Sequence, residues 1–238
     1  MDPAHAVWIG GPQGSGKSSV AHALAERFGL QLYVVDHRTW VHEARMPPTE
    51  FSSLSMDERW VHPTPERMLG WFVTTSRHRF RLMLEDLREL PDEPACIVEG
   101  PQLFPTSVSA VLRAPDQALF LMPDLDAMRE RLLARGPMLA TSDGARARVN
   151  AVARDVLIAQ TIAREARELR LPVLPVDRPL DEMVELAAQS LGPAIERLPR
   201  GGDLAAARAF EAEVRSTQIR LYEDWLASAA TGEAGTSR

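Results

Sequence analysis

The chain has 238 residues, 45% of them hydrophobic and 25% charged, and a formal net charge of −6. Such values are typical of a soluble globular protein with one sizeable domain, and the acidic balance disfavours nucleic acid as a partner. The apolar stretches are too short to span a bilayer and the N-terminus lacks a signal-peptide layout, so we expect a cytoplasmic protein without a membrane partner.

Two rare residue types limit the chemistry. Cys96 is the only cysteine, which excludes an internal disulfide and a cysteine-rich metal site. Lys17 is the only lysine, and every other Lys or Arg position is an arginine. A compact ammonium side chain is therefore available at one position only.

Short apolar runs alternate with longer stretches of helical period, a pattern typical of βαβ units around a parallel sheet. A helix with Val20, Leu24 and Phe28 on one stripe follows the first run, with Gly29 as its stop signal. The region 37–94 is predicted to be mostly helical, with its last helix at about 65–90. The predicted strands are residues 6–9, 32–35, 95–98, 118–121 and 172–176.

A helix with Met128 and Leu132 on its apolar face is predicted after the fourth strand, followed by a flexible loop over 136–144. After a break at 199–202, a tail helix carries an apolar stripe, so we expect it to dock on the core or on a partner, and a homodimer through this helix is one such arrangement. Residues 231–238 are predicted to be disordered. The stripe consists of Phe210, Val214, Leu221 and Trp225.

The segment Gly11-Pro12-Gln13-Gly14-Ser15-Gly16-Lys17-Ser18 satisfies the P-loop pattern, between a predicted strand and a predicted helix. Glycines let backbone N–H groups turn towards phosphate oxygens, and the helix N-terminus adds positive potential. Lys17 is expected to reach the β- and γ-phosphates of ATP, and the Ser18 hydroxyl to bind Mg²⁺. The alternative is a glycine-rich turn without ligand. The expected nucleotide-binding residues are Gly11, Gln13, Gly14, Ser15, Gly16, Lys17, Ser18 and Ser19.

The remaining motifs restrict the class of P-loop protein. A GTPase needs an Asn-Lys-x-Asp motif, which cannot exist because Lys17 is the only lysine. A Leu-Ser-Gly-Gly signature of transporter ATPases is absent, and the chain is short for a ring-forming ATPase. The small-molecule kinase group remains.

With these residues the sequence resembles the P-loop nucleoside and nucleotide kinase-like family, which includes shikimate kinase, uridine kinase and chloramphenicol phosphotransferase; the overall likeness is closest to uncharacterised bacterial kinase-like ATPases. The resemblance extends from about residue 6 to 191. It implies an α/β, three-layer αβα fold with a parallel five-stranded sheet in the order 2-3-1-4-5. It also implies a kinase domain over 1–200, with an acceptor-binding insertion at 37–94 and a helical lid at about 129–155, followed by a C-terminal helix and tail over 201–238.

Two carboxylates follow predicted strands. By the resemblance, Asp36 orients the acceptor hydroxyl and accepts its proton; alternatively it caps the helix that begins near Arg38. Glu99, in a Glu-Gly pair like that of uridine kinase, is expected to bind Mg²⁺ or the substrate; alternatively it pairs with an arginine.

The lid is expected to supply catalytic arginines. Arg131 and Arg135 share a helix face before the flexible loop, and in the family such arginines close over the transferred phosphate. A solvated ion-pair face with Glu130 is the alternative. Arg146, Arg148 and Arg154 are further candidates. Asp177 and Pro179, after the fifth strand, are placed by the resemblance where related kinases pass their backbone around adenine.

The acceptor is expected to bind between Asp36 and the insertion. A compound with a carboxylate, a phosphate or a planar ring would suit the side chains there, although solvated arginines and a buried tryptophan are the alternative. Phosphate transfer to a hydroxyl of a metabolite, nucleoside or antibiotic is the first hypothesis. The others are phosphorylation of a macromolecule or sugar-nucleotide, as by zeta toxins, and a regulatory ATP-binding module. The expected acceptor-binding residues are Asp36, Arg38, His42, Arg45, Trp60, Arg77 and Glu99.

Overall fold

Five parallel strands form the central sheet of the computed structural model, which describes residues 1–138 and 140–230. The spatial order is β2-β3-β1-β4-β5, which confirms the predicted order. Leu139, in the expected lid, and the stretch 231–238 lie outside the described residues. The strands are β1 Ala6–Gly10, β2 Gln31–Val34, β3 Cys96–Glu99, β4 Ala118–Pro123 and β5 Val173–Val176.

Helices connect the strands and cover both faces of the sheet, which gives the predicted three layers. Their bounds are α1 Lys17–Phe28, α2 Thr39–Arg45, α3 Glu50–Ser53, α4 Met56–Trp60, α5 Pro65–Glu89, α6 Pro105–Ser109, α7 Leu125–Leu133, α8 Gly144–Glu168, α9 Leu180–Glu196 and α10 Leu204–Ala230. No helix among the residues described is long and apolar enough to cross a membrane.

Successive residues of a strand face opposite sides of the sheet, so each strand contributes to two cores. Trp8 and Phe120 belong to the core shared with α5 and α8. Ile9 and Leu121 belong to the core shared with α1 and α9. Burial on both faces explains why the strands read as continuous apolar runs.

The second strand ends earlier than the sequence pattern predicts. The sequence predicts Val35 as the last residue of this strand, but Val35 begins a 3₁₀ turn over Val35–Arg38. Asp36 therefore lies in this turn, at the carboxyl edge of the sheet. The Thr39 hydroxyl donates to the Asp36 carbonyl at 3.1 Å, which continues the turn into α2.

The long helix α5 is the scaffold of the insertion. Thr64 accepts a hydrogen bond from the Arg67 N–H and Pro65 occupies the first turn, which are favourable start signals. Its buried face includes two polar residues, Ser76 and Arg79, among apolar ones. The helix thus directs polar side chains inward.

The tail helix α10 packs against its own chain, along the edge strand β2, the 3₁₀ turn and α2. Of the predicted apolar stripe, Trp225 contacts the Trp40 ring, whereas Phe210 at the start of the helix is 49% exposed. The neighbouring Glu211 is buried instead, and its carboxylate accepts from the Val34 N–H at 3.4 Å. A polar residue therefore anchors the first half of the helix.

Candidate active site

The P-loop connects β1 to α1 at the carboxyl edge of the sheet. Gly11 has φ 145°, and a Cβ there would lie 2.5 Å from the Leu121 carbonyl oxygen, so the position requires glycine. Gly16 precedes α1 with φ 76°, and nothing among the described residues lies within 4 Å of the place its Cβ would take. No side chain caps the helix. The loop therefore leaves space at a helix N-terminus, where a phosphate group can bind.

Lys17, Ser18 and Glu99 meet beside this loop. In the parallel register Glu99 lies between Ile9 of β1 and Val34 of β2, and its side chain is buried. Burial raises the pKa of the Glu99 carboxyl, and the charge of Asp36 raises it further. The charge of Lys17, a hydrogen bond with Ser18 and the charge of His37 oppose the rise in this pKa. The expected phosphate and metal residues thus share one site with Asp36.

The alternative interpretations of the two carboxylates find no support in these contacts. Helix α2 has Arg38 at its N-cap position without a side-chain hydrogen bond, so Asp36 does not cap it. Gln102 Nε2 donates instead to Asp36 Oδ1 at 3.2 Å. The positive group that acts on the Glu99 pKa most strongly is Lys17, not an arginine.

The side chains beside the P-loop leave polar atoms available to a nucleotide and Mg²⁺. Ser15 Oγ and Glu99 Oε2 are buried without a hydrogen-bond partner within the described part of the chain. That part holds no group of three or more His, Cys, Asp or Glu side chains suited to a metal. Mg²⁺ bound with nucleotide usually takes only one or two protein ligands, together with phosphate and water. Ser18 and Glu99 therefore fit such an ion.

A cavity of about 180 Å³ lies beside Gln102, mostly among residues of the predicted insertion. We call it the arginine pocket. Arg59 Nε, Arg79 Nε, Ser76 Oγ and Gln102 Oε1 are all buried, with no partner among the residues described. A ligand with acceptor and donor atoms would satisfy these groups. The pocket is lined by Phe51, Arg59, Trp60, Met68, Trp71, Phe72, Thr75, Ser76, Arg79, Gln102 and Arg154.

The three guanidinium groups of the pocket are incompletely neutralised. Arg79 pairs with Glu43 at 3.0 Å and Arg154 with Asp155 at 2.6 Å. The Arg59 guanidinium donates to the neutral Ser52 carbonyl at 2.8 Å. Burial lowers the Arg59 pKa, although Glu43 opposes this. Three positive groups against two carboxylates leave the pocket favourable to an anion.

Aromatic rings form the rest of the wall. The Arg154 guanidinium lies 5.0 Å from the ring centre of Trp60 and 5.5 Å from that of Phe72. Phe51 contacts Trp60 edge to face, with ring centres 5.9 Å apart. These contacts hold the arginine and the rings in fixed orientations.

The sheet order and the loop geometry together decide the fold. This is the P-loop NTPase fold. No protein-family model matches the sequence, and no curated protein matches it significantly.

Several solved structures resemble the chain. A shikimate kinase from Acinetobacter baumannii in complex with shikimate is 16% identical, with a TM-score of 0.47, over 79% of this chain and 93% of that one. TT1252 from Thermus thermophilus is 21% identical, with a TM-score of 0.48, over 79% of this chain and 96% of that one. A gluconokinase from Sinorhizobium meliloti 1021 is 20% identical, with a TM-score of 0.38, over 82% of this chain and 95% of that one. Shikimate kinases are in the group that the sequence resembles.

Most of the expected acceptor residues lie outside the arginine pocket. Arg38 is buried against Glu211 at 2.7 Å. His42 and Arg45 both pair with Asp86. Arg77 is exposed on α5. Of the seven expected acceptor-binding residues, Trp60 lines the pocket, and its neighbour Arg59 in the insertion lines it as well.

The arginines predicted for the lid lie on the protein surface. Arg131 and Arg135 are exposed on and just after α7, and Leu132 of the same helix lies 3.8 Å from the place of a Cβ on Gly14. Helix α7 therefore lies beside the P-loop. Arg148 Nε donates to the Gly136 carbonyl at 2.7 Å, across the predicted loop. Arg154, a further lid candidate, lines the arginine pocket instead.

The segment after β5 is exposed, as an adenine-binding edge would be. Asp177 pairs with the adjacent Arg178 at 3.2 Å. Pro179 is the N-cap of α9. Both lie at the carboxyl edge of the sheet, the same edge as the P-loop.

Sequence reasoning missed several residues of the pocket. Arg79 has helical spacing from Phe72 and Met83, seven and four residues away, which could have identified it as inward-facing. Gln102 lies three residues after Glu99, but its direction depends on the turn that follows β3. Nothing in the pattern of α10 distinguishes the buried Glu211 from the exposed Glu213.

Proposed function

We propose that the protein is an ATP-dependent phosphotransferase that moves the γ-phosphate to a hydroxyl group of a small, anionic molecule. One observation carries the proposal: Asp36 is hydrogen-bonded to Gln102 of the arginine pocket and acts electrostatically on Glu99 of the phosphate site. A general base between a phosphate site and a ligand pocket is the arrangement that transfer requires.

On the donor side, the P-loop backbone and Lys17 bind the phosphates of ATP. Ser18 and Glu99 would hold Mg²⁺, which would supply positive charge to the phosphate oxygens. Arg131 and Arg135 approach the transferred group when the lid closes. The segment with Asp177 and Pro179 passes around the adenine.

On the acceptor side, Asp36 accepts a hydrogen bond from the acceptor hydroxyl and takes its proton as the new O–P bond forms. Gln102 fixes the carboxylate for this task. We assign Glu99 to the metal rather than to proton transfer, because its carboxyl lies beside Lys17 and Ser18 of the phosphate site.

The rest of the acceptor lies in the arginine pocket. Arg59 and Arg79 have unpaired buried Nε–H donors, and charge-assisted hydrogen bonds to a carboxylate or phosphate would satisfy them. The aromatic wall suits an apolar or planar portion. A volume of about 180 Å³ favours a small molecule over a polymer segment. This argues against the macromolecular kinase as the leading hypothesis.

A screen of hydroxylated carboxylates and phosphorylated metabolites, with ADP release as the signal, tests the proposal. We expect transfer to one class of anionic acceptor. Asp36→Asn should abolish transfer and leave ATP binding intact, whereas Lys17→Ala should remove ATP binding as well. Full transfer by Asp36→Asn, or no thermal stabilisation by millimolar ATP, would contradict the proposal.

A homodimer through α10 stays part of the proposal. Phe210, Ile219 and Tyr222 are each nearly half exposed on this helix. A second copy could cover them. Sedimentation equilibrium of the full chain and of a Phe210→Ser, Ile219→Ser variant would decide between monomer and dimer.

A further inference from the structure

A buried ion-pair cluster joins the C-terminal helix to the segment that carries Asp36. Glu211 of α10 accepts from His37 Nδ1 at 2.8 Å and from Arg38 at 2.7 and 3.2 Å. It also lies 3.4 Å from the Val34 nitrogen. Glu211 thus contacts the backbone two residues before Asp36 and the two side chains directly after it.

The cluster is charged and ordered. Burial works against the charge of Glu211, but the hydrogen bond from His37 and the charge of Arg38 outweigh it and lower the Glu211 pKa. The Arg38 guanidinium also donates to the Val34 carbonyl at 3.1 Å and lies 3.7 Å from the Tyr33 ring centre. Removing Glu211 would leave Arg38 buried without its carboxylate partner, which is costly.

A second part of α10 contacts the same segment. The Trp40 N–H donates to Gln218 Oε1 at 3.0 Å, and the Trp40 ring lies 5.4 Å from the Trp225 ring and 6.5 Å from the Tyr222 ring. Residues 211, 218, 222 and 225 share one helix face by their spacing. All of these contacts fall on residues 34–40.

Open space flanks the helix on both sides of Glu211. A cavity of about 870 Å³ lies between α10 and the end of α5. Another of about 540 Å³ lies between α10 and α1. The Glu211 cluster lies between these two cavities and joins the first half of the helix to the body.

We propose that Glu211 is a positioning residue of the active site: through His37 and Arg38 it holds the 3₁₀ turn so that the Asp36 carboxylate meets the acceptor hydroxyl. The inference rests on the proposed function. It makes α10 part of the catalytic apparatus through its contacts with residues 34–40.

Kinetics of three full-length variants test this role. Glu211→Ala should lower kcat about 10- to 100-fold, since small displacements of a catalytic group have effects of this size. The Kd for ATP and the KM for the acceptor should change by less than about twofold, because neither binding site is altered. Glu211→Gln keeps an oxygen for His37 and should restore part of kcat. Glu213→Gln, exposed on the same helix, is the matched control and should behave as the unaltered protein.

Hydrogen–deuterium exchange supplies a readout that does not depend on activity. In Glu211→Ala, amides of residues 35–40 should exchange faster, while those of the P-loop should not. All rates are normalised to the number of ATP-binding sites, so a partly unfolded sample cannot imitate the effect.

The outcomes are distinct. Unchanged exchange at 35–40, or unchanged kcat with faster exchange, overturns the positioning role. A fall in ATP-site number with unchanged kcat per site also overturns it, because Glu211 would then be merely structural. If the unaltered protein transfers no phosphate to any acceptor, the proposed function fails, and the positioning role in catalysis fails with it; exchange then reports only whether Glu211 braces the turn.

Discussion

Gln102 donates a hydrogen bond from Nε2 to the Asp36 carboxylate at 3.2 Å, while its Oε1 is buried at the wall of the arginine pocket without a partner in the described chain. One amide therefore contacts both the proposed base and the proposed acceptor cavity. Its donor end is occupied and its acceptor end is available to a ligand.

Gln102→Met should lower kcat about tenfold and raise the KM for the acceptor, because the variant keeps the volume but loses the hydrogen bond to Asp36 and the acceptor oxygen available to a ligand. Steady-state kinetics at saturating ATP would measure this. The Kd for ATP should not change. An effect on KM for ATP alone would contradict the role given to Gln102.

Arg79→Met should raise the KM for an anionic acceptor about 10- to 100-fold, as expected for loss of a charge-assisted hydrogen bond in a buried site. Arg77→Met is the matched control, since Arg77 is on the same helix but exposed. Equal KM values for the two variants would remove the arginine pocket as the acceptor site.

Glu99→Gln should make the ligand-free protein more stable at neutral pH and weaken its Mg²⁺-dependent ATP binding. The folded-state pKa of Glu99 is raised above the ordinary value of 4.5. The stability that its protonated form contributes is therefore complete below that value and is lost as pH rises through the folded pKa. Thermal melts of the unaltered protein and Glu99→Gln should thus differ at neutral pH and converge in acid. A lower melting temperature for Glu99→Gln at neutral pH would refute this explanation.

Asp86→Asn should destabilise the fold by about 2 kcal/mol. Burial raises the Asp86 pKa, but hydrogen bonds from His42, Arg45 and Tyr33 outweigh it and lower the value to about 2. The stabilisation is present above the ordinary carboxyl pKa and is lost as pH falls through about 2. Urea unfolding would measure it, with the exposed neighbour variant Glu85→Gln as control, for which a change below about 0.5 kcal/mol is expected.

The fold could be predicted from sequence because its signals are local. The P-loop spacing fixed the first strand and helix, and apolar runs located the other strands to within a residue or two. The order of the sheet came from the family resemblance and is confirmed. The prediction that β2 ends at Val35 is wrong by one residue, since an apolar residue can be buried equally well in a strand or in a 3₁₀ turn.

The residues predicted for the donor side lie together in the structure, and their binding of nucleotide and Mg²⁺ stays a prediction; most of those predicted for the acceptor side do not lie together. Lys17, Ser18 and Glu99 come together because parallel strands end at one edge. Closeness to Asp36 in the sequence led to the prediction that three side chains bind the acceptor, namely Arg38, His42 and Arg45. Their partners, Glu211 and Asp86, lie 173 and 41 to 44 residues away, and no local pattern contains such pairings.

The burial of the only lysine has a chemical consequence. Lys17 is 5% exposed, and no other ε-amine exists in the sequence. Acylation of lysine, which in most proteins is spread over many surface amines, has a single target in this chain, and modification there would remove the charge that meets phosphate. An amine-specific label would therefore react slowly with the lysine side chain, and a nucleotide bound there would slow the reaction further.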